Sequence, residues 1–238
     1  MVSQITAGYP TDERGRPYRR RRYRPAIVAV VVLAVLGLVI WVVALTTGDE
    51  ESVPTACNEP SPASSTVSAQ TGPQAPAAPS PAAAPKLTPV NDDDVLSTAP
   101  AALATFQVRV LNASNTRGAA RSVADDLTAQ GFNPVPDNPY GDDTVYANRD
   151  LNCVGQIRFG PAGKASAAAV WLALPCAQLV DDGRAGNSVD VALGEYYEGK
   201  EQSQDAQAAL EALRSADPKN PQTGVDPALV KAVHSAKC

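Results

Sequence analysis

One histidine, His234, is all that a chain of 238 residues offers for imidazole chemistry. A Ser/His/Asp or Cys/His mechanism would have to use it, and no Gly-x-Ser-x-Gly turn is present to hold a nucleophile above a sheet. It falls on a predicted C-terminal helix, near the negative end of the helix dipole, and so reads as a surface or capping residue rather than a base. Paired carboxylates could do general acid–base work only by flanking one bond. Asp125-Asp126 are neighbours on a predicted helix and point about 100° apart, which removes that pair, and Asp181-Asp182 is likewise adjacent in sequence. Asp92, Asp93 and Asp94 could offer oxygens to calcium, but no further ligands follow at fixed spacing, and solvated charge is the simpler reading. The cysteines Cys57, Cys153, Cys176 and Cys238 contain no CxxC pair, and one histidine supplies a zinc site poorly. No metal and no cofactor is expected. A small hydrolase or transferase using His234 or an acidic pair is the alternative to a binding role.

Binding chemistry is better supplied. Asn112, Ser114, Asn115, Thr116 and Arg117 follow a predicted strand and precede a helix N-terminus. Free backbone N–H groups and the positive dipole end there suit an anionic group or a hydroxyl-rich ligand, although Ser or Thr in such a loop also serves as a plain N-cap. The glycines after Phe159, with Lys164 nearby, repeat the arrangement, and Trp171 at helical spacing reads as core rather than a sugar-stacking platform.

Alternation of apolar and polar residues marks Phe106 to Leu111 as a half-buried strand. A helix is predicted over 117–130, with Ala120, Val123, Ala124 and Leu127 inward and Gly131 as its left-handed cap. A second strand begins over 132–135, and the turn formers of 136–143 read as loop. The unit then repeats: a strand over 155–159, a helix over 164–174 stopped by Pro175, and short strands over 176–180 and 188–193. Helices over 203–214 and 227–236 close the chain, the latter with Asp226 as N-cap and Pro227 in its first turn. The pattern predicts an α+β fold, a βαββαβ-like sandwich with helices on one face and extra C-terminal helices.

What holds this domain in place is written at the other end. Arg19 to Arg22 precede an apolar run over 26–45 with no ionisable side chain. At about 1.5 Å per helical residue such a run spans roughly the 30 Å hydrocarbon core of a bilayer. Trp41 suits the headgroup interface, and seven arginines against Asp12 and Glu13 keep the tail cytoplasmic. The expected organisation is a cytoplasmic tail (1–25), a single transmembrane helix (26–45), a disordered Pro/Ala/Ser-rich linker (46–104) biased to polyproline II, and an extracytoplasmic domain (105–238). A cleaved signal peptide would have an apolar region of about 7–15 residues, and a lipoprotein would need cysteine directly after the run. Beyond residue 48, 13 basic residues face 23 acidic ones, which argues against a nucleic-acid partner.

All four cysteines lie beyond the run, and an even count in an oxidising compartment reads as two disulfides. Three connectivities are open. Cys153–Cys176 with Cys57–Cys238 is preferred, because the first pair flanks one strand–helix unit; the long bridge would turn the proline-rich stretch into a closed loop.

The residues Val108-Arg-Val-Leu-Asn-Ala-Ser114, Arg117-Gly-Ala-Ala120 and Leu127-x-x-x-Gly131-Phe132 resemble the LytR C-terminal domain family. The wider layout, including Arg24-Pro-Ala-Ile27, Cys153-x-Gly155-Gln-Ile-Arg-Phe-Gly160, Pro175-Cys176, Asp226-Pro-Ala-Leu229 and Cys238, is similar to a family of actinobacterial envelope integrity proteins. That resemblance implies a membrane-anchored accessory factor of the cell envelope, contacting cell-wall glycan, glycolipid or envelope proteins. LytR-type transferases act through a separate catalytic domain for which this chain has no room, so no catalytic residue carries over.

Overall fold

The computed structural model describes Arg14, residues 24–46, 52–61, 86–199, 201–217, 219 and 224–238. The basic tail, apart from Arg14, Arg24 and Pro25, and residues 62–85 of the expected linker lie outside the described residues. The chain divides into two units, Met1–Glu51 and Ser52–Cys238.

In the first unit, helix α1 (Arg24–Thr46) has 23 residues and no acidic or basic residue in its first or last turn, respectively. It is apolar all round rather than amphipathic, and Leu33 and Trp41 are about two-thirds exposed. Among the described residues no helix is long and apolar enough to count by itself as a membrane span, the side chains described on α1 being those of 25–41.

The second unit begins earlier than the sequence suggests. Strand β1 (Thr88–Pro89) and helix α2 (Asp92–Leu96) fall inside the stretch expected as linker, 46–104. The Asn91 side chain caps α2 by accepting from the Asp93 N–H at 3.1 Å. Asp92, Asp93 and Asp94 form its first turn, where carboxylates meet the positive dipole end. Val95 and Leu103 are almost fully buried, so this segment folds because it contributes to the core. The remaining elements are β2 (Gln107–Asn112), α3 (Ala119–Gln130), β3 (Asn133–Pro134), β4 (Tyr140–Asp142), β5 (Gly155–Phe159), α4 (Lys164–Ala173), β6 (Gln178–Asp181), β7 (Val189–Leu193), α5 (Gln204–Arg214) and α6 (Pro227–Val233). Gly131 ends α3 at φ 104°, as its position predicts. The Ser203 hydroxyl caps α5 and the Asp226 carboxylate caps α6. The loop expected over 136–143 contains β4, which pairs in parallel with β2.

The sheet runs β1-β6-β5-β7-β2-β3, with β4 also beside β2. The two strand–helix–strand units are present, but β7 inserts between them, parallel to β2 and antiparallel to β5. The helices gather on one face, as expected. Val108 and Val110, Ile157 and Phe159, and Val189, Val191 and Leu193 point to them at period 2, forming one core with Ala120, Val123, Leu127 and Leu172.

The alternate positions are where solvated residues would be expected, yet Gln156, Arg158 and Asp190 there are buried. Arg158 and Asp143 are both fully enclosed and form a two-pronged pair at 2.9 and 2.7 Å. Arg158 also donates to the Gln156 side-chain oxygen Oε1 at 3.1 Å and lies 5.6 Å from the centre of the Tyr146 ring. Asp190 accepts from Arg109 and from Arg184 at 2.6–3.0 Å. Burial pushes the Asp190 carboxyl up, but the hydrogen bonds from Arg109 and Arg184 outweigh it and hold it below the usual carboxylate range.

This helix-free face is covered by residues 52–61 and by the segment between β4 and β5. Asn58 accepts from the Asn152 N–H at 2.7 Å, donates to the Asp150 carbonyl at 3.0 Å, and takes the Tyr146 hydroxyl on its own carbonyl. The disulfides follow these faces and correct the expected pairing: Cys57 bonds Cys153, and Cys176 bonds Cys238. Cys153 and Cys176 do flank one strand–helix unit, β5 and α4, the basis of the expected pairing. Cys153, however, packs with Cys57, Tyr146, Leu151 and Ala192 on the helix-free face, whereas Cys176 follows α4 on the other. Cys57 is still tied to the folded unit, through Cys153 rather than Cys238.

Removing one member of a buried ion pair strands the other. Asp143→Ala is expected to cost about 3–5 kcal/mol in urea denaturation, and replacing both Asp143 and Arg158 by apolar residues of similar size is expected to cost less than the single change.

Candidate functional site

Of the five loop residues singled out from the sequence, hydrogen bonds bring Asn112, Ser114 and Thr116 together, and not Asn115 or Arg117. Asn112 is buried at the end of β2, its side-chain oxygen accepting from the Ser114 N–H at 3.2 Å and the Ser114 hydroxyl at 3.0 Å. Its amide donates to the Thr116 carbonyl at 3.1 Å, and Ser114 Oγ accepts from the Thr116 N–H at 3.3 Å. These groups therefore build the turn itself. Helix α3 starts at Ala119 rather than Arg117, capped by Gly118 at φ 78° with no side-chain hydrogen bond, so no Ser or Thr of the loop serves as N-cap. Arg117 is exposed. Asn115 turns outward, where its N–H donates to Glu195 at 2.9 Å and its side chain also donates to Glu195. There it joins an open polar depression of about 440 Å³ lined by Asn58, Asn148, Arg149, Asp150, Asn152 and Glu195.

The acidic pairs do not assemble a site. Asp125 sits near Arg121 on the surface of α3. Asp181 accepts from the Gly183 N–H and Asp182 pairs with Arg184, so the two carboxylates serve different partners. Lys164 begins α4.

A second cavity, of about 450 Å³, opens on the helix side. Its walls include Leu96 from α2, Trp171 from α4, Leu174, Tyr197, and Val233 and His234 at the end of α6. Trp171 is core by burial, as expected, with only 5% exposure. Its ring is stacked on His234 with centroids 3.7 Å apart. His234 is thus not the solvated cation that a helix C-terminus would favour. Burial pushes its pKa down to about 4, leaving the imidazole neutral near pH 7. Trp171 Nε1 and both His234 ring nitrogens are buried without a hydrogen-bond partner. Such groups are rare in folded proteins. The Cys176–Cys238 disulfide lies on the cavity wall, and the Val53 N–H donates to the Cys238 carbonyl at 2.8 Å, which fixes the C-terminal segment. Ser203 lines the cavity too, but its hydroxyl caps α5. Sequence reasoning missed this cavity because Trp171 and His234 meet only through the packing of α6 on α4.

Residues 105–197 match the family described as the LytR cell envelope-related transcriptional attenuator. The cell envelope integrity protein Cei of Mycobacterium tuberculosis (strain ATCC 25618 / H37Rv) is 39% identical over 241 residues, covering 100% of both chains. The chain belongs to the Cei family. It is also similar to the crystal structure of the soluble domain of a conserved hypothetical secreted protein from Mycobacterium marinum, 41% identical with a TM-score of 0.56, covering 63% of this chain and 97% of that one. That structure is of the soluble domain by itself, and here Ser52–Cys238 has its own core and both disulfides.

Because His234 is held neutral, the unfolded chain takes up its proton first as pH falls. Stability is therefore fully present above about 6.5 and declines toward the folded value near 4. The melting temperature of Ser52–Cys238 is expected to drop between pH 7 and pH 5, and His234→Phe to flatten that slope.

Proposed function

We propose that this chain is a membrane-anchored, non-catalytic accessory module that maintains cell envelope integrity by binding an envelope component: a cell-wall glycan, a glycolipid or an envelope protein. Membership of the Cei family supports the envelope-related role. The anchor is α1, apolar on every side and preceded by arginines that favour a cytoplasmic N-terminus. The domain then lies outside the cytoplasmic membrane, where two disulfides persist and where the similar soluble domain, from a secreted protein, would also belong. The acidic exterior portion suits no nucleic-acid partner.

The observation that carries the binding role is the cavity beside Trp171 and His234, which has unpartnered polar groups but no nucleophile in working order. Its cysteines are joined, its serine is a helix cap, and its histidine is stacked on an indole. The loop reading is supported by Asn115, which lines the polar depression, and by exposed Arg117, while Asn112, Ser114 and Thr116 hold the turn.

His234→Phe keeps the stack and removes all proton chemistry. The full chain carrying it is expected to restore detergent resistance to a deletion strain as well as the unaltered chain does. Failure at normal protein level and melting temperature would turn the reading to a histidine-dependent enzyme.

A further inference from the structure

The open polar depression beside Asn115, about 440 Å³ in volume, is walled by side chains from four separate stretches of chain. That volume falls within the roughly 300–1,000 Å³ of small-ligand sites, yet every lining residue is polar. Asn58, Asn115, Asn148 and Asn152 are four of the seven, so amide chemistry dominates the wall. An asparagine side chain offers an acceptor oxygen and an NH2 donor at one end. Asn58 uses both inside the protein, on the Asn152 N–H and the Asp150 carbonyl. Asn115 donates to Glu195 and to the Arg149 carbonyl, which leaves its oxygen without a donor among the described residues. Asn148 and Asn152 are exposed, and their side chains bond no other described residue. Glu195 accepts through Oε1 alone. Asp150 Oδ1 is enclosed, so Oδ2 is the oxygen that a ligand can meet.

The turn that carries Asn148 and Asp150 is unusual. Asparagine and aspartate enter the left-handed region more readily than other non-glycine residues. Arg149, between them, takes it instead at φ 57°, the one non-glycine with positive φ among the described residues. With the strain placed on Arg149, Asn148 and Asp150 both line the depression, and strain of this kind gathers at ligand sites. The Arg149 guanidinium itself is engaged with Asp142 at 3.0 Å.

The unused groups are five oxygens, on Asn115, Asn148, Asp150, Asn152 and Glu195, and two NH2 groups, on Asn148 and Asn152. A phosphate or sulfate ion only accepts and would leave the oxygens unmet. A metal ion would leave the NH2 groups unmet, and a hydrocarbon would meet neither set. A hydroxyl both donates and accepts, so a polyol matches both. We infer that the depression binds an uncharged sugar unit of a glycan, whose hydroxyls donate to the oxygens of Asn115, Asp150 and Glu195 and accept from the amides of Asn148 and Asn152. Cys57 and Cys153, joined by a disulfide, are the chain neighbours of Asn58 and Asn152. That bond fixes two walls before the ligand arrives, which lowers the ordering cost of binding. This inference rests on the binding-module reading and gives it a ligand class, at a site distinct from the cavity beside Trp171.

The test is saturation-transfer NMR of the full chain in phospholipid nanodiscs, which contain no sugar. The probes are the methyl glycosides of glucose, galactose, mannose and arabinose, beside inorganic phosphate and 2-methoxytetrahydropyran, a sugar-like ring without hydroxyls. At least one glycoside is expected to bind, with phosphate and the bare ring at least about tenfold weaker, as a hydrogen-bonding site rejects what lacks the hydroxyls. Asn148→Ala and Asn152→Ala should each weaken that glycoside by about 2- to 10-fold, the worth of one hydrogen bond, at an unchanged melting temperature. No binding by any glycoside would overturn the inference. Binding that both substitutions leave untouched would overturn the site, and equal binding of phosphate or of the bare ring would overturn the role of the hydroxyls. If the glycosides fail while His234→Phe still restores the envelope in cells, the module reading stands and only this inference falls.

Discussion

A guanidinium and a carboxylate with no access to water, Arg158 and Asp143, impose the constraint on which the rest of the second unit depends. Desolvating both ions is costly, and only a complete set of hydrogen bonds in a closed space makes it tolerable. Gln156 and the face of Tyr146 complete that set around Arg158, and Tyr146 is in turn held by the carbonyl of Asn58. The helix-free face of the sheet therefore needs a lid made from its own chain. Residues 52–61 provide it, and Cys57–Cys153 fastens it across a sequence separation of 96 residues. A loop of that size makes the bond worth up to about 4.7 kcal/mol if the unfolded chain is a random coil.

The opposite face is organised by different physics. Helices α2 to α6 cover an aliphatic core, much of it alanine, which brings backbones close but fills little space. Where α6 meets the end of α4, that economy leaves a cavity rather than a packed junction, and the Cys176–Cys238 bond sits on its wall. On the helix-free face the buried ions pair with each other, whereas on the helix side the Trp171 indole N–H and the His234 imidazole are enclosed without a protein partner.

Local signals made much of this legible in the sequence. The alternation from Phe106, the inward face of α3 with Gly131 at its end, the Pro175 stop and the Asp226-Pro227 start correspond to elements found within a few residues. Elements with no period of their own were not legible: a two-residue β1, a five-residue α2 and a three-residue β4, the first two in proline-rich sequence. Arg158 and Asp190 occupy positions that alternation assigns to solvent, and only contacts distant in sequence enclose them: Asp143 and Tyr146, the latter held by the lid, around Arg158, and Arg109 and Arg184 around Asp190. His234 does cap α6, as expected, but the same non-local packing changes its charge. A helix end favours a charged imidazole, but contact with Trp171 desolvates it. The loop Asn112–Thr116 was recognisable as special, although most of its polar atoms build the turn.

The claim that binds these parts together is that each face of the sheet is closed by its own disulfide. Peptide mapping of the unreduced protein tests it most directly. The structure requires a peptide containing Cys57 joined to one containing Cys153, and Cys176 joined to Cys238. A Cys153–Cys176 or Cys57–Cys238 peptide as the main species would contradict the two-faced arrangement, and with it both the lid over the buried ions and the preformed cavity.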